Sequence, residues 1–330
     1  MTHAAAAPIG PRQSGEIQDG DQSGEIAWLD GRQIPRADLV LAVGDAGFVL
    51  GATVTEQLRT FGGRLFLPEW HAERFADSLA IAGFEPAWPA AEIFAVAANI
   101  ARHNHALGRP GGDLGVVVFA TPGDLPAQYG GRGSPPRAAI HSFPLAFPLW
   151  ARAYAEGVAL RSVPVMQVPA ASWPIALKCR SRMHYHLADL AASAAETGAR
   201  AILRHADGRV SETSTANVAI VRDGRIITPP PADALPGVSL RYCRDLATGL
   251  GLAWEERSLT LDDLAGAAEI LLTSTPSCLL PATRLDGRPI GTGGPGLVFQ
   301  RLLSAWSDRV GVSIAAQARN PPLPSPRVGE

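Results

Sequence analysis

The alternation of apolar and polar residues predicts that the first half of the chain combines strands with two helices. A period of two predicts strands, and apolar positions at helical spacing predict helices. The expected strands cover residues 26–32, 39–43, 53–61 and 114–120, and the expected helices cover 69–83 and 90–107. Gly62-Gly63 suits the turn of a hairpin. Strands in hairpins, followed by helices, are typical of an α+β domain.

The second half shows a similar pattern after a proline-rich stretch around residues 135–148. Asp-Gly turns at 207–208 and 223–224 predict two successive hairpins. The expected strands are 158–165, 201–204, 209–210, 218–221, 225–227 and 267–273, and the expected helices are 182–197, 236–249 and 297–310. We therefore expect two α+β domains, a small one over 25–145 and a large one over 146–318. The tails, 1–24 and 319–330, are expected to be disordered.

Composition narrows the class of protein. The 330 residues carry a formal net charge of −2, so no basic surface for nucleic acid is expected. No apolar run reaches the roughly 18 residues that cross a bilayer, and the N-terminus lacks a signal-peptide layout. Three widely spaced cysteines give neither a disulfide framework nor a zinc site. We expect a cytoplasmic protein that binds neither nucleic acid nor membranes.

A single lysine, Lys178, stands against 28 arginines. A lysine amine can lose its proton near neutral pH, attack a carbonyl and form a Schiff base, whereas a guanidinium cannot. Genomic base composition would explain the general shortage of lysine. It does not explain why the exception follows the apolar run 173–177, where a surface lysine is not expected. Lys178 is therefore a candidate nucleophile.

A carboxylate follows the lysine after 34 residues, within a hydroxyl-rich segment. Glu212 lies between strand-forming residues and the donors Ser214, Thr215 and Asn217. It is either an exposed turn residue or a carboxylate that pairs with a ring nitrogen. The neighbouring hydroxyl and amide groups suit hydrogen bonds to a phosphate.

Three further segments carry phosphate-binding chemistry. Residues 236–239 begin a helix with Gly237 and Ser239, and the exposed N–H groups of a helix N-terminus attract anions. Ser274-Thr275 follow directly after a predicted strand. Arg74 is either a solvated helix arginine or a bidentate phosphate ligand.

Together these elements resemble the class IV, fold type IV pyridoxal-phosphate enzymes. That family includes branched-chain aminotransferases, D-amino-acid aminotransferases and aminodeoxychorismate lyases. The resemblance runs from about residue 26 to 316. It is carried by an ordered series of segments: 212–218, 228–230, 235–239, 255–257, 272–275 and 286–291.

The resemblance implies a two-domain fold with pyridoxal 5′-phosphate at the domain interface. Lys178 would form the Schiff base and move the proton, and Glu212 would keep the pyridine nitrogen protonated. Arg74, the Val238 and Ser239 amides and the Thr275 hydroxyl would hold the phosphate. The remaining cofactor residues would be Tyr185, Ser214, Thr215, Asn217, Gly237 and Ser274.

The chain departs from the family around the lysine. The tyrosine that contacts the cofactor's phenolic oxygen is displaced, and Tyr185 is the nearest candidate. Residues 121–123 lack the arginine with which D-amino-acid aminotransferases hold the substrate carboxylate. His184 and His186 have no third ligand in sight, so no metal site is expected. The candidate substrate residues are Thr55, where many relatives carry an aromatic residue, and Arg59, Arg180 and Arg182.

The resulting hypothesis is an aminotransferase that moves the amino group of an apolar, branched-chain L-amino acid to 2-oxoglutarate. An aminodeoxychorismate lyase would use the same lysine and phosphate site, and a D-amino-acid aminotransferase remains a further alternative. A binding homologue without activity is the fourth possibility, but retention of Lys178, Glu212 and Arg74 argues against it. The resemblance also implies a homodimer.

Overall fold

Two β-sheets organise the described residues, 24–108 and 112–320 of a computed structural model. The strands of the first sheet are β1 (Ile26–Leu29), β2 (Arg32–Pro35), β3 (Val54–Phe61), β4 (Arg64–Leu65), β5 (Leu114–Thr121) and β6 (Arg137–Pro144). They pair antiparallel throughout, in the order β2-β1-β6-β5-β3-β4. The central strands β5 and β3 are buried along almost their whole length.

Helices α1 (Ala46–Val49), α2 (Pro68–Ala82) and α3 (Ala90–Leu107) accompany this sheet. Proline at the first position of α2 has the backbone angle that a helix start needs, and Gly83 ends the helix with a left-handed φ of 75°. The apolar faces of α2 and α3 pack on β3 and β5 through Phe75, Ile93 and Leu58, which are fully buried. This packing holds β3 and α2 against each other.

The second sheet contains nine strands. They are β7 (Val158–Ser162), β8 (Arg200–Arg204), β9 (Val210–Thr213), β10 (Asn217–Arg222), β11 (Arg225–Thr228), β12 (Ala253–Glu256), β13 (Glu269–Ser274), β14 (Cys278–Leu285) and β15 (Arg288–Pro289). The order is β12-β11-β10-β13-β14-β7-β8-β9, with β15 beside β14. Asn217 of β10 also pairs with Glu212 of β9, so β10, β13, β14, β7, β8 and β9 close into a barrel-like ring.

The remaining helices surround this second sheet. They are α4 (Ala153–Glu156), α5 (Met183–Ala195), α6 (Val238–Gly249), α7 (Leu261–Ala265), α8 (Leu297–Val310) and α9 (Ile314–Arg319). The core contains β-strand residues such as Ile220 and Leu271, packed with Trp306 of α8. No helix in the described ranges has the length and hydropathy of a membrane span.

Most elements match the sequence pattern, but two expectations need correction, and strands such as β6 and β14 were not predicted. Residues 39–43 are not a strand: Val40 and Val43 are largely exposed, and β2 occurs earlier, at Arg32–Pro35. The proline-rich stretch contains β6, whose prolines lie at its ends, where strands tolerate them. The sequence did not predict β14, because Pro281 interrupts the strand-like pattern of its residues. α9 occupies Arg319, at the start of the expected C-terminal tail; residues 1–23 and 321–330 lie outside the described chain.

Candidate active site

A cavity of about 350 Å³ lies where β3, the segment before α5, the β9–β10 turn, the start of α6 and the end of β13 meet. Its volume is that of a small-molecule site. All expected cofactor residues line it: Arg74, Lys178, Tyr185, Glu212, Ser214, Thr215, Asn217, Gly237, Val238, Ser239, Ser274 and Thr275. Of the expected substrate residues, Thr55, Arg180 and Arg182 also line it.

Lys178 follows β7 in the chain, but the backbone around it is hydrogen-bonded to β3 of the first sheet. Thr55 N–H donates to the Lys178 carbonyl at 3.0 Å, and Val54 and Cys179 form an isolated antiparallel bridge. The Lys178 N–H donates to Ser78 Oγ of α2 at 3.2 Å. The backbone on both sides of the lysine is therefore fixed, and its side chain extends into the cavity wall.

The environment of Lys178 lowers the pKa of its amine and so raises the fraction of the amine that is neutral near pH 7. Burial lowers the pKa of this amine to about 8; the Glu56 carboxylate opposes that shift, and the positive charges of Arg74, Arg182 and Arg180 reinforce it. With a pKa of about 8, roughly one amine in ten is neutral at pH 7, against about one in three thousand for an ordinary lysine. Lys178 is thus prepared to act as a nucleophile and a base.

Acylation of Lys178 is expected to follow this lowered pKa. In the protein without cofactor, its labelling by acetic anhydride should rise about tenfold between pH 6 and 7 and level off above about pH 8, because only the neutral amine reacts. Mass spectrometry of the Lys178 peptide gives the profile. Arg182→Gln should move the midpoint to higher pH because it removes a neighbouring positive charge. A midpoint near pH 10.5 in the native protein would contradict this electrostatic account.

Glu212 is placed by the turn between β9 and β10. The turn closes through the Thr213 hydroxyl, which accepts from Ala216 N–H at 2.9 Å, so Glu212 and Asn217 face each other across the strands. Glu212 Oε2 accepts from Asn217 Nδ2 at 3.1 Å, and Oε1 accepts from the Tyr185 hydroxyl at 2.6 Å. Burial raises the pKa of Glu212, while the Tyr185 hydrogen bond and nearby positive charges oppose the shift. The alternative of an exposed turn residue is therefore wrong, since Glu212 is buried.

The start of α6 presents free backbone donors to the cavity. Gly237 precedes the helix and provides no side-chain cap, which leaves the first N–H groups, at Val238 and Ser239, available. A Cβ at position 237 would overlap the Asn217 amide oxygen, so only glycine allows this approach. Thr273 also lines the cavity, and its Oγ1 is buried without a hydrogen-bond partner among the described residues. These donors fit a phosphate group.

Arg74 lies beside these donors and is oriented by a buried carboxylate. Its Nε and one terminal nitrogen donate to the two oxygens of Glu56, both at 2.7 Å, and its other terminal nitrogen donates to Pro236 O at 2.9 Å. His71 Nδ1 lies 2.7 Å from Glu56 Oε2. Burial opposes ionisation of Glu56, but the charge and hydrogen bonds of Arg74, with those of His71, hold its pKa well below the usual range. Two guanidinium N–H groups remain for an anion.

Arg74→Ala is expected to weaken cofactor binding about ten- to hundredfold, because a charge-assisted hydrogen-bonded pair contributes roughly 1.5–3 kcal/mol. Saturating cofactor should restore much of the turnover. The variant should also melt at a lower temperature, because Glu56 loses its charged partner. The double variant Arg74→Ala/Glu56→Gln separates the effects: it should recover stability but not affinity. If excess cofactor restored no turnover in either variant, Arg74 would have a role beyond binding.

The mouth of the cavity combines cations with an apolar wall. Arg182 donates to Ser214 O, and its guanidinium lies 4.4 Å from the ring centre of Tyr185. Arg180 and Arg182 have no acidic partner among the described residues. Trp173 and Ile175, from the segment that leads to the lysine, form the apolar side. An anionic group and an apolar side chain can therefore enter together.

Two expected residue roles change. Arg59 does not line the cavity: it is 1% exposed, stacks on Phe61, and donates to Pro276 O at 3.0 Å and Gln317 Oε1 at 3.0 Å. Arg59 is a buried structural residue, and it cannot bind a substrate carboxylate. Tyr185 does reach the cavity, but its hydroxyl is bonded to Glu212, which favours action on that carboxylate over the phenolic-oxygen contact expected from the sequence.

Three site residues were missed or left without a role by the sequence. Gln167 Nε2 contacts the Tyr185 hydroxyl at 3.2 Å and Glu212 Oε1 at 3.3 Å, yet it lies in a loop without a motif. Thr273 appeared only as the last residue of a strand. Glu56 stood in a strand pattern, and an acid at a buried position of that pattern was the available signal. His184 lines the cavity, whereas His186 is exposed outside it.

Comparison with known proteins agrees with this geometry. Residues 53–285 match the family described as Amino-transferase class IV, so the chain belongs to the class IV aminotransferases. It is 26% identical over 286 residues to the D-alanine aminotransferase of Bacillus licheniformis, covering 86% of this chain and 96% of that protein.

Two solved structures have the same fold. The branched-chain amino acid aminotransferase of Escherichia coli superposes with a TM-score of 0.79 at 23% identity, covering 86% of this chain and 94% of that one. An aminotransferase from Brucella abortus, solved with the cofactor PLP, gives 0.73 at 21% identity, covering 87% and 99%. The family, the fold type and the enzyme class expected from the sequence are confirmed.

Proposed function

We propose that this chain is a pyridoxal-phosphate-dependent aminotransferase that transfers an amino group from an apolar L-amino acid to 2-oxoglutarate. The observation that carries the proposal is the convergence of Lys178, Glu212 and the N-terminus of α6 on one cavity. The class of enzyme follows from the family. The substrates are our inference from the cavity wall.

The cavity fits the cofactor at both ends. Arg74, the first N–H groups of α6 and the hydroxyls of Ser239 and Thr275 would hold the phosphate. The Glu212 carboxylate would face the ring nitrogen at the other end. When bound, pyridoxal phosphate supplies an aldehyde for the lysine and a ring that delocalises the electrons of the substrate carbon.

The other chemical roles in the reaction are assigned to residues of this chain. Lys178, with its lowered pKa, would be the nucleophile and, once released, would move the proton between the substrate carbon and the cofactor. Glu212 holds a proton at the ring nitrogen by its negative charge. Tyr185, Gln167 and Asn217 donate to Glu212 and so fix its direction.

We assign substrate recognition to the residues at the mouth of the first cavity. One of Arg180 and Arg182 would pair with the α-carboxylate, as required in a chain without an arginine at residues 121–123. The other would be free for the second carboxylate of 2-oxoglutarate. Trp173 and Ile175 would take an apolar side chain, with room left by the small Thr55.

A panel of L- and D-amino acids with 2-oxoglutarate tests this assignment, with aminodeoxychorismate included. Leucine, isoleucine or valine should be deaminated, and D-alanine should react poorly. Arg180→Gln and Arg182→Gln should each raise the KM for 2-oxoglutarate about tenfold or more, and only one of them should raise the KM for leucine comparably. Pyruvate and aminobenzoate released from aminodeoxychorismate, without transamination, would establish the lyase instead.

We also propose a cytoplasmic homodimer of two-domain chains, divided near residue 145. Support for the dimer comes from exposed apolar side chains on α1 and α5, among them Phe48 and Met183. Ser181 Oγ donates to Gly51 O at 2.8 Å and joins these two segments into one surface. Light scattering at micromolar concentration should give twice the mass of the chain.

A further inference from the structure

A three-residue loop, 275–277, joins β13 to β14 at the wall of the first cavity. Ser274 and Cys278 pair across the base of this loop. The hydroxyl groups of Ser274 and Ser277 lie 2.7 Å apart and join its two sides. Thr275 and Pro276, in the loop itself, line the cavity. The proposed phosphate site therefore includes one side of the loop, at Thr275.

The loop ends in an unfavourable backbone conformation. Cys278 is fully buried and has a φ of 59°, in the left-handed region that is uncommon for residues other than glycine. Such a conformation persists only where the surrounding structure determines it. Contacts from outside the hairpin are therefore needed to keep the loop in this shape.

Two buried side chains from other elements supply these contacts. A terminal guanidinium nitrogen of Arg59, in β3, donates to Pro276 O at 3.0 Å and to Cys278 Sγ at 3.3 Å. The Tyr154 hydroxyl, in α4, donates to Ser277 O at 2.6 Å. Two consecutive carbonyl groups of the loop are thus bound by side chains that lie outside the hairpin.

Arg59 is itself held by the C-terminal helix and by a buried carboxylate. Its other terminal nitrogen donates to Gln317 Oε1 of α9 at 3.0 Å. Gln317 Nε2 donates in turn to Asp113 Oδ2 at 2.8 Å, and that oxygen lies 4.0 Å from the same guanidinium nitrogen. Asp113 is buried and balances the buried positive charge. The direction of Arg59 therefore depends on α9.

We propose that Arg59 is a positioning residue for the cofactor phosphate, and that Asp113 and Gln317 hold it in place. Arg59 does not line the cavity, yet it binds the carbonyl group of the residue that follows Thr275. Without this hydrogen bond the strained loop would relax, and the Thr275 hydroxyl would lose its direction. This role rests on the proposed function, because it requires a phosphate at Thr275.

Pyridoxal, which lacks the phosphate, separates a role in positioning from a general role in stability. Absorbance titration of the cofactor-free protein gives the Kd for pyridoxal phosphate and for pyridoxal. Arg59→Met/Asp113→Asn, which removes both buried charges together, should raise the Kd for pyridoxal phosphate about tenfold. The Kd for pyridoxal should stay within about twofold of the native value, because pyridoxal makes no contact through a phosphate.

Two substitutions that change no charge test the geometry alone. Gln317→Met and Tyr154→Phe should each raise the Kd for pyridoxal phosphate about threefold, and each should leave the Kd for pyridoxal unchanged. Gln300→Met, in the neighbouring helix α8, is the matched control and should change neither Kd. Because Gln317 is partly exposed, its variant should fold even if the double variant does not.

Hydrogen exchange in the absence of cofactor measures the loop directly. The peptide that covers residues 274–280 should exchange faster in Arg59→Met/Asp113→Asn and in Gln317→Met than in the native protein or in Gln300→Met. Unchanged exchange would show that Arg59 does not hold the loop. Faster exchange with a native preference for pyridoxal phosphate over pyridoxal would show that the loop does not set phosphate affinity.

An equal loss of affinity for the two ligands would limit Arg59 to a role in stability, and would also overturn the proposal. A failure of the proposed function is seen separately, in the native protein. If the native protein binds pyridoxal phosphate and pyridoxal equally well, the phosphate site itself is wrong, and Arg59 cannot position it.

Discussion

Lys178→Ala is expected to abolish turnover and the near-visible absorbance of the lysine-bound cofactor together. The chain contains no other lysine, so no other side chain can form that bond. The variant should still bind pyridoxal phosphate weakly, because Arg74 and the start of α6 are unchanged. Absorption spectra and steady-state rates measure both effects. The loss in rate should reach the detection limit, as expected when the nucleophile and the base are the same group.

Borohydride reduction gives an independent check on the assignment. The native protein should carry the pyridoxyl group on one peptide, the one that contains Lys178. Cys179→Ala is a matched control, since it alters the adjacent side chain and should keep both the absorbance and the labelling. Label found only at the N-terminal amine would refute Lys178 as the nucleophile.

Glu212→Gln should retain bound cofactor and lower kcat by about 10²–10³, on the scale of other preorganised charges in active sites. The amide carries no charge to keep the ring nitrogen protonated. The amide would also fit its surroundings poorly. Tyr185 and Gln167 donate to one oxygen of Glu212, and Asn217 donates to the other. The NH₂ group of the new glutamine would therefore face a donor in either orientation. Stopped-flow absorbance would place the loss in the proton-transfer step.

Tyr185→Phe is the companion to that variant. It removes one donor and leaves the Glu212 charge, so kcat should fall less than about tenfold. The ordering of the two variants tests the role given to the carboxylate. A Glu212→Gln enzyme with native kcat would require another group at the ring nitrogen.

The sequence could single out Lys178 and Glu212 as candidates because few alternatives exist for them, and both line the same cavity. A single lysine after an apolar run, and an acid among strand-formers, indicate a site without knowledge of the fold. The hairpins were equally accessible, since the Asp-Gly turns at 207–208 and 223–224 set their positions.

The groups that orient these residues could not be predicted, because they depend on contacts between distant parts of the chain. Gln167 reaches Glu212 across 45 positions, and Arg59 reaches Gln317 across 258. Arg59 illustrates the difficulty: a strand arginine near a site was expected to meet substrate, yet each of its three guanidinium nitrogens donates a hydrogen bond within the fold. The apolar run at 39–43 was expected to form a strand, but its side chains lie on the surface and it does not.

The bridge between Val54 and Cys179 has a practical consequence. A chain cut after residue 146 would leave the lysine on one fragment and the strand that positions it on the other. Neither fragment would hold the amine in the position proposed for catalysis, and turnover should return only when the two pieces reassociate. The protein is therefore a natural starting point for a split-enzyme sensor, in which a single amine reports the proximity of two fused partners.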